Sequence, residues 1–272
     1  MRELSALFIV VAASTAACGG GGGAAPSRPP ESTAFVQDPA RPNVVNGIEG
    51  IVDGAPEIGL NDGREVTLDG SKVGEAGPKK SDGLGRALQL KKSSSGRVAY
   101  AFGPETQWTV VRGLLDTAAK AGYPHASFVT RVVREGVARP GHLDVEVATE
   151  KKTTSDRELH VSLSSRGAVM LRWLEGTKQI GEVVPTDAVV TRLARPVERE
   201  WNDRGLFHEP NDKRFDQVIL HVEPDTPYIL VLTVLDAISG TKRGSVPAFI
   251  VNLPAEDKTP EHTIGSPSSK PR

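Results

Sequence analysis

Val98-Ala99-Tyr100-Ala101-Phe102-Gly103-Pro104-Glu105-Thr106-Gln107-Trp108 lies without a gap over Val218-Ile219-Leu220-His221-Val222-Glu223-Pro224-Asp225-Thr226-Pro227-Tyr228, an offset of 120 positions. The match runs on through Val110-Val111 over Leu230-Val231 and Leu114-Leu115-Asp116 over Val234-Leu235-Asp236. An earlier landmark repeats too. Leu68-Asp69-Gly70-Ser71-Lys72 corresponds to Leu174-Glu175-Gly176-Thr177-Lys178, at an offset of 106 that rises to 107 by Glu75 and Glu182. Two landmarks recurring in the same order indicate two copies of one domain, residues 46–150 and 151–254, with a longer middle section in the second.

Each landmark has a mechanical reading. Residues 218–222 form an apolar run broken only by His221, the pattern of a strand buried on both faces. Thr226 then offers an N-cap oxygen and Pro227 suits the first helical position, and Thr106 repeats the cap in the first copy. Val110, Val111, Leu114, Leu115, Ala118 and Ala119 recur at helical spacing, as do Leu230, Val231, Val234, Leu235 and Ile238, so each helix covers a sheet with one face. Gly122 and Gly240 stand where a C′ glycine would end each helix. The apolar runs 126–133 and 248–253 read as returning strands.

Upstream, residues 158–164 alternate at period 2, turn at Ser165-Arg166-Gly167 and return as 168–174, with 57–60 and 64–68 as a shorter counterpart. A helix follows in each copy. One spans residues 82–92; the other, capped by Thr186-Asp187, spans 189–201 with a kink or shortening at Pro196. The expectation is therefore an α+β fold of two tandem two-layer domains, each strand-strand-helix-strand-helix-strand, with residues 142–149 adding a strand between the copies.

The ends of the chain read differently. Arg2, an apolar stretch over residues 4–13 and the small residues Ser14-Thr15-Ala16-Ala17 before Cys18 form an export signal. The fourteen residues 4–17 would reach ~21 Å as a helix, short of the ~30 Å hydrocarbon core. Placing the only cysteine directly after small residues resembles the bacterial lipoprotein signal, which implies a signal peptide over 1–17 and lipidation of Cys18, a palmitate-type anchor at the mature N-terminus. Residues 18–45, with glycines at 19–23 and prolines at 26, 29, 30, 39 and 42, read as a tether, and 255–272 as a disordered tail. For the 27 residues 19–45 the tether's r.m.s. reach is ~26–31 Å.

The P-[E/D]-T-x-[W/Y] turn between a buried strand and a helix carrying Leu-Asp, after a hairpin with a Gly-Ser/Thr-Lys turn, resembles the periplasmic domain of the ExbD/TolR biopolymer transport family. The resemblance singles out Pro104, Thr106, Trp108 and Asp116, and in the better-matching second copy Pro224, Asp225, Thr226, Pro227, Tyr228 and Asp236. It implies an envelope protein facing the periplasm of a Gram-negative cell, partners such as peptidoglycan or a membrane protein of a motor complex, and a dimeric association. Two linked copies would supply that association within one chain as a pseudo-dimer, or the chain would form a homodimer. No Asp or Glu lies between Leu4 and Ala17, so the resemblance carries fold and location and leaves out the membrane aspartate of those motors.

Composition narrows the function. Of 272 residues, 33 are Lys or Arg and 34 Asp or Glu, a net charge of −1 that argues against nucleic acid as the partner. One Cys excludes an all-cysteine metal cage, and the six histidines show no ligand pair at helical spacing. His208-Glu209-Pro210-Asn211-Asp212 with Asp216 gathers oxygen donors without the alternating spacing of a calcium loop. No G-x-S-x-G motif occurs, so no catalytic residue, metal or cofactor is expected. The leading expectation is a lipid-anchored, non-enzymatic binding or scaffolding accessory. The alternatives are a subunit of a proton-motive-force-coupled transport system and an envelope hydrolase.

Overall fold

In a computed structural model, described for residues 41–61, 64–77, 81–91, 95–149, 158–175, 178–184 and 193–255, the sequence halves meet in one mixed sheet. The signal peptide, Cys18, the tether as far as residue 40, the Thr186-Asp187 cap and the tail beyond residue 255 lie outside the described residues.

The first half contributes β1 (Asn43–Val44), β2 (Ile48–Glu49), β3 (Glu57–Asn61), β4 (Glu65–Leu68), β5 (Ser71–Glu75), helix α1 (Asp82–Lys91), β6 (Arg97–Ala101), α2 (Trp108–Lys120), β7 (His125–Arg134) and β8 (Val137–Val147). The second contributes β9 (Leu159–Leu163), β10 (Val169–Glu175), β11 (Lys178–Val184), α3 (Ala194–Arg204), β12 (Asp216–Val222), α4 (Tyr228–Ser239), the short pair β13 (Lys242–Arg243) and β14 (Val246–Pro247), and β15 (Phe249–Leu253). The sheet order is β11-β10-β9-β12-β15-β8-β7-β6-β3-β4-β5. Each half thus repeats one order outward from its returning strand, β7-β6-β3-β4-β5 and β15-β12-β9-β10-β11, with β8 standing between them. Strand β8 runs antiparallel to β7 and parallel to β15.

The Gly-Ser/Thr-Lys landmark leads into a third hairpin strand in both halves, β5 and β11, beyond the two expected. The helices form a row, α1 against α2, α2 against α4 and α4 against α3, so they cover one face of the sheet. Beneath them lie the inward residues of every second strand position, including Ile58, Val66, Val98, Tyr100, Phe128 and Leu143 in the first half and Leu159, Val161, Leu171, Val218, Leu220 and Val251 in the second. At about 25 cal/mol per Å2 this aliphatic burial is the main stabilising contribution. Pro196 falls in the first turn of α3, where its missing N–H leaves no helix bond unmade, and the helix runs on to Arg204.

A strap closes the first half. Strand β1 runs parallel to β7, with Val44 opposite Val132; the chain then crosses the β7–β8 hairpin, and β2 runs antiparallel to β8, with Ile48 opposite His142. The expected linker boundary at residue 45 falls inside this strap. A Cβ at Gly141 would lie against the Val132 side chain and 2.7 Å from the Ile48 carbonyl oxygen, so the crossing depends on a residue without one.

The two helix C-termini differ. Gly122 follows α2 with φ of +98°, as expected for a C′ glycine, and the Tyr123 N–H donates to Ala118 O. Gly240 ends α4 in ordinary helical geometry with φ of −69°. A Cβ there would stand 3.0 Å from the Asn46 side-chain nitrogen, so this glycine makes room for the strap rather than for a left-handed turn.

Candidate functional site

The repeated strand-to-helix turns face each other. The Trp108 N–H donates to Thr226 O (2.9 Å) and the Tyr228 N–H to Thr106 O (2.8 Å); the Thr109 N–H donates to Pro224 O (3.0 Å) and the Ile229 N–H to Pro104 O (3.1 Å). Every bond has its counterpart 120 residues away. The first N–H groups of α2 and α4, which a helix leaves without intrahelical partners, are therefore satisfied by carbonyls of the opposite half. This corrects the expected capping. The N-caps are Gln107 and Pro227, neither helix has a side-chain cap bond, and the buried Thr226 hydroxyl has no partner among the described residues.

Around this contact Tyr228 inserts between Phe102 and Phe128 of the first half, with ring centroids 5.7 and 5.5 Å apart in edge-to-face geometry. Trp108 is buried as well, whereas Pro224 and Asp225 are exposed and Pro104 and Thr106 half-buried. The motif positions thus hold the halves together rather than line a cleft.

The two repeated aspartates hold the chain near its described ends. Asp236 on α4 accepts the N–H of Val45 (2.9 Å) and of Asn46 (2.6 Å), while the Asn46 side chain donates to Asp236 O (3.0 Å). Burial raises the Asp236 carboxyl above its usual range, against the opposing pull of these hydrogen bonds. Asp116 on α2 pairs with Arg112 one turn earlier (2.9 Å), and Arg112 donates to Pro254 O just after β15. One aspartate secures residues 45–46; the other orients an arginine that secures residue 254.

No family model matches the chain, and no curated protein matches it. What the fold can do is therefore read from the sheet's other face, which carries no helix among the described residues.

That face is polar. At its centre Arg97 Nη1 donates to Ser127 Oγ (2.7 Å) and pairs with Asp144 (2.7 Å), the Ser127 hydroxyl donates to Asp144 Oδ1 (2.7 Å), and His142 Nε2 lies 3.6 Å from the same oxygen. His125 approaches Glu146 (3.7 Å), and across β15 the Asn252 amide donates to Gln217 Oε1 (2.6 Å). The Ser127 side chain is fully buried and its proton is held by the Asp144 carboxylate, so the hydroxyl presents no surface to a substrate in this arrangement. It pins β6, β7 and β8 together and leaves a partly exposed ion pair facing solvent.

Further along the face His160 Nδ1 and His221 Nε2 are 3.0 Å apart, with nearly parallel rings (centroids 5.2 Å, 11°). Burial pushes both imidazoles down to about 4; Arg172 adds to this for His160, and the charges of His160 and then Arg172 add to it for His221. A neutral hydrogen-bonded pair results. Among the described residues no three side chains gather as a metal site. In the loop after α3, Asp212 pairs with Arg214 (3.1 Å), and Asp216 accepts Trp201 Nε1–H (2.9 Å) and the Leu206 N–H (3.0 Å).

Sequence reasoning passed over the Arg97–Ser127–Asp144 group. Its signal is present in residues 142–147, where His142, Asp144 and Glu146 alternate with Leu143, Val145 and Val147. The facing strand obscured it, because a run rich in Val, Phe and Ala reads as apolar throughout.

Proposed function

We propose that this chain is a non-enzymatic binding or scaffolding protein of a Gram-negative cell envelope, held to a membrane through acylated Cys18 and facing the periplasm. Its two halves act as the intrachain counterpart of an ExbD/TolR-like dimer. The observation that carries this reading is the reciprocal exchange of hydrogen bonds between the turns at residues 104–109 and 224–229, an isologous contact of the kind that joins two copies of one domain. The small residues before Cys18 support the anchor, and the polar sheet face offers the partly exposed side chains of Arg97, Asp144, His125 and Glu146 to an extended polar ligand such as the peptide stems of peptidoglycan.

The test uses residues 19–272 with isolated sacculi over a range of salt concentrations. Saturable binding that survives moderate salt, and that falls on Arg97→Ala or His125→Ala, is the expected result. No binding, together with co-purification of a membrane motor protein with the acylated chain, would transfer the assignment to a subunit of a transport motor.

A further inference from the structure

We infer that the end of the molecule formed by the strap and the β7–β8 hairpin docks on the lipid surface to which the chain is anchored; this rests on the acylation of Cys18 proposed above. Among the described residues, most of the exposed large hydrophobic side chains lie there. Val45, Ile48 and Ile51 in the strap and Val137 at the hairpin tip are 59%, 44%, 72% and 54% exposed. Register places three of them around the far part of the hairpin. Val45 follows the Val44–Val132 pair, Ile51 follows Gly50, whose N–H donates to Pro140 O, and Val137 pairs with Arg134 at the turn. With strands ~4.8 Å apart and ~3.4 Å per residue along them, Val45, Ile51 and Val137 surround the distal hairpin within roughly 15 Å. Monomeric surfaces scatter such residues singly, and a group of them marks a contact.

Two further observations select lipid as the occupant. The chain arrives at this end from its anchor: the Arg131 N–H donates to Pro42 O, and only the 22 residues 19–40 separate Cys18 from Arg41. Even fully extended, such a segment spans about 75 Å, so a bilayer holding Cys18 is within reach of this surface at all times and at high effective concentration. The charge is also suitable. Arg131, Arg134 and Arg139 stand against Glu49 and Glu135, and Glu49 pairs with both Arg134 (3.1 Å) and Arg139 (3.0 Å), which leaves one excess cation beside the apolar side chains. Apolar side chains that enter the interface beside a rim of net positive charge are the combination an anionic bilayer recognises.

The experiment measures co-sedimentation of residues 19–272, made without the acyl group, with vesicles of phosphatidylethanolamine and phosphatidylglycerol. The expected result is binding that weakens roughly tenfold on Ile51→Asp and again on Val137→Asp, with no change on Leu90→Asp, where an 85% exposed leucine stands on α1. Thermal melts establish that each variant is folded. Absence of vesicle binding, or equal loss in Leu90→Asp, overturns the inference. So does a concentration-dependent dimer that Ile51→Asp dissolves, because a second copy would then be the occupant. The mass of the full-length protein reads acylation separately. If the full-length protein carries the acyl group while residues 19–272 ignore vesicles, the docking alone is defeated; a full-length protein without the acyl group defeats the anchor on which it rests.

Discussion

Asp116 and Asp236 occupy the same position of the repeat, yet their removal should have very different consequences. Asp236→Ala deprives the Val45 and Asn46 N–H groups of their acceptor, at 2.9 and 2.6 Å. Hydrogen bonds to a charged group contribute about 1.5–3 kcal/mol each. The Val45 bond is exposed and water can replace it, and ionising a half-buried carboxylate offsets part of the gain, so the loss should be about 2–3 kcal/mol. Asp116→Ala removes an i,i+4 pair with Arg112, which keeps its bond to Pro254 O, and should cost about 0.5 kcal/mol. Asp236→Asn retains one acceptor without the buried charge and should fall between them, at about 1 kcal/mol. Urea denaturation at neutral pH gives all three differences. Hydrogen exchange locates them: the Val45 and Asn46 amides should lose protection in Asp236→Ala while amides in β6 keep theirs. Equal losses for Asp116→Ala and Asp236→Ala would refute the division of labour argued here.

Other expectations follow the same logic. The imidazoles of His160 and His221 titrate near 6.5 when unfolded and near 4 when folded, so the unfolded chain binds more protons between those values and stability falls as pH drops from 6.5 toward 4. His221→Ala, the residue found at the equivalent Ala101, should flatten that decline; urea midpoints at pH 7 and pH 5 that shift in parallel with the wild type would contradict it. Gly141→Ala forces a Cβ against Val132 and the Ile48 carbonyl and should cost about 1–3 kcal/mol in thermal unfolding, whereas Gly136→Ala at the turn leaves the strap protected from exchange. Thr226→Val should leave the melting temperature unchanged or raise it, because the buried hydroxyl caps nothing; a loss of about 1 kcal/mol, typical of a removed N-cap, would restore the capping role.

Much of the architecture is legible in the sequence because it is written in apolar periodicity. The runs that became β6, β7, β12 and β15, and the helical faces of α2 and α4, bury their side chains where spacing alone places them. Strand β5 escapes because Ser71-Lys72-Val73-Gly74-Glu75 lies at a sheet edge, where little is buried and no alternation is required. The strap escapes for another reason. Asn43 to Glu49 contains Gly47 and follows Pro42, which locally reads as linker, and its shape is imposed by a carboxylate 191 residues away from Val45. Thr106 and Thr226 carry a capping signal that is locally valid, but the opposite turn's carbonyls occupy the donors first. Local chemistry identifies donors in need of partners; it cannot tell which distant acceptor arrives.

The reciprocal turn contact also sets an order on how the protein can be made. When a nascent chain has reached residue 149, α2 can wind and pack, but the acceptors for its first two N–H groups, Thr226 O and Pro224 O, are still to be synthesised, as is the carboxylate that clasps residues 45–46. The opening residues of the domain become fixed only after α4 has emerged. A chain delivered from its N-terminus therefore stays incompletely locked until nearly all of it has passed through the machinery that delivers it, and locks once the far half arrives.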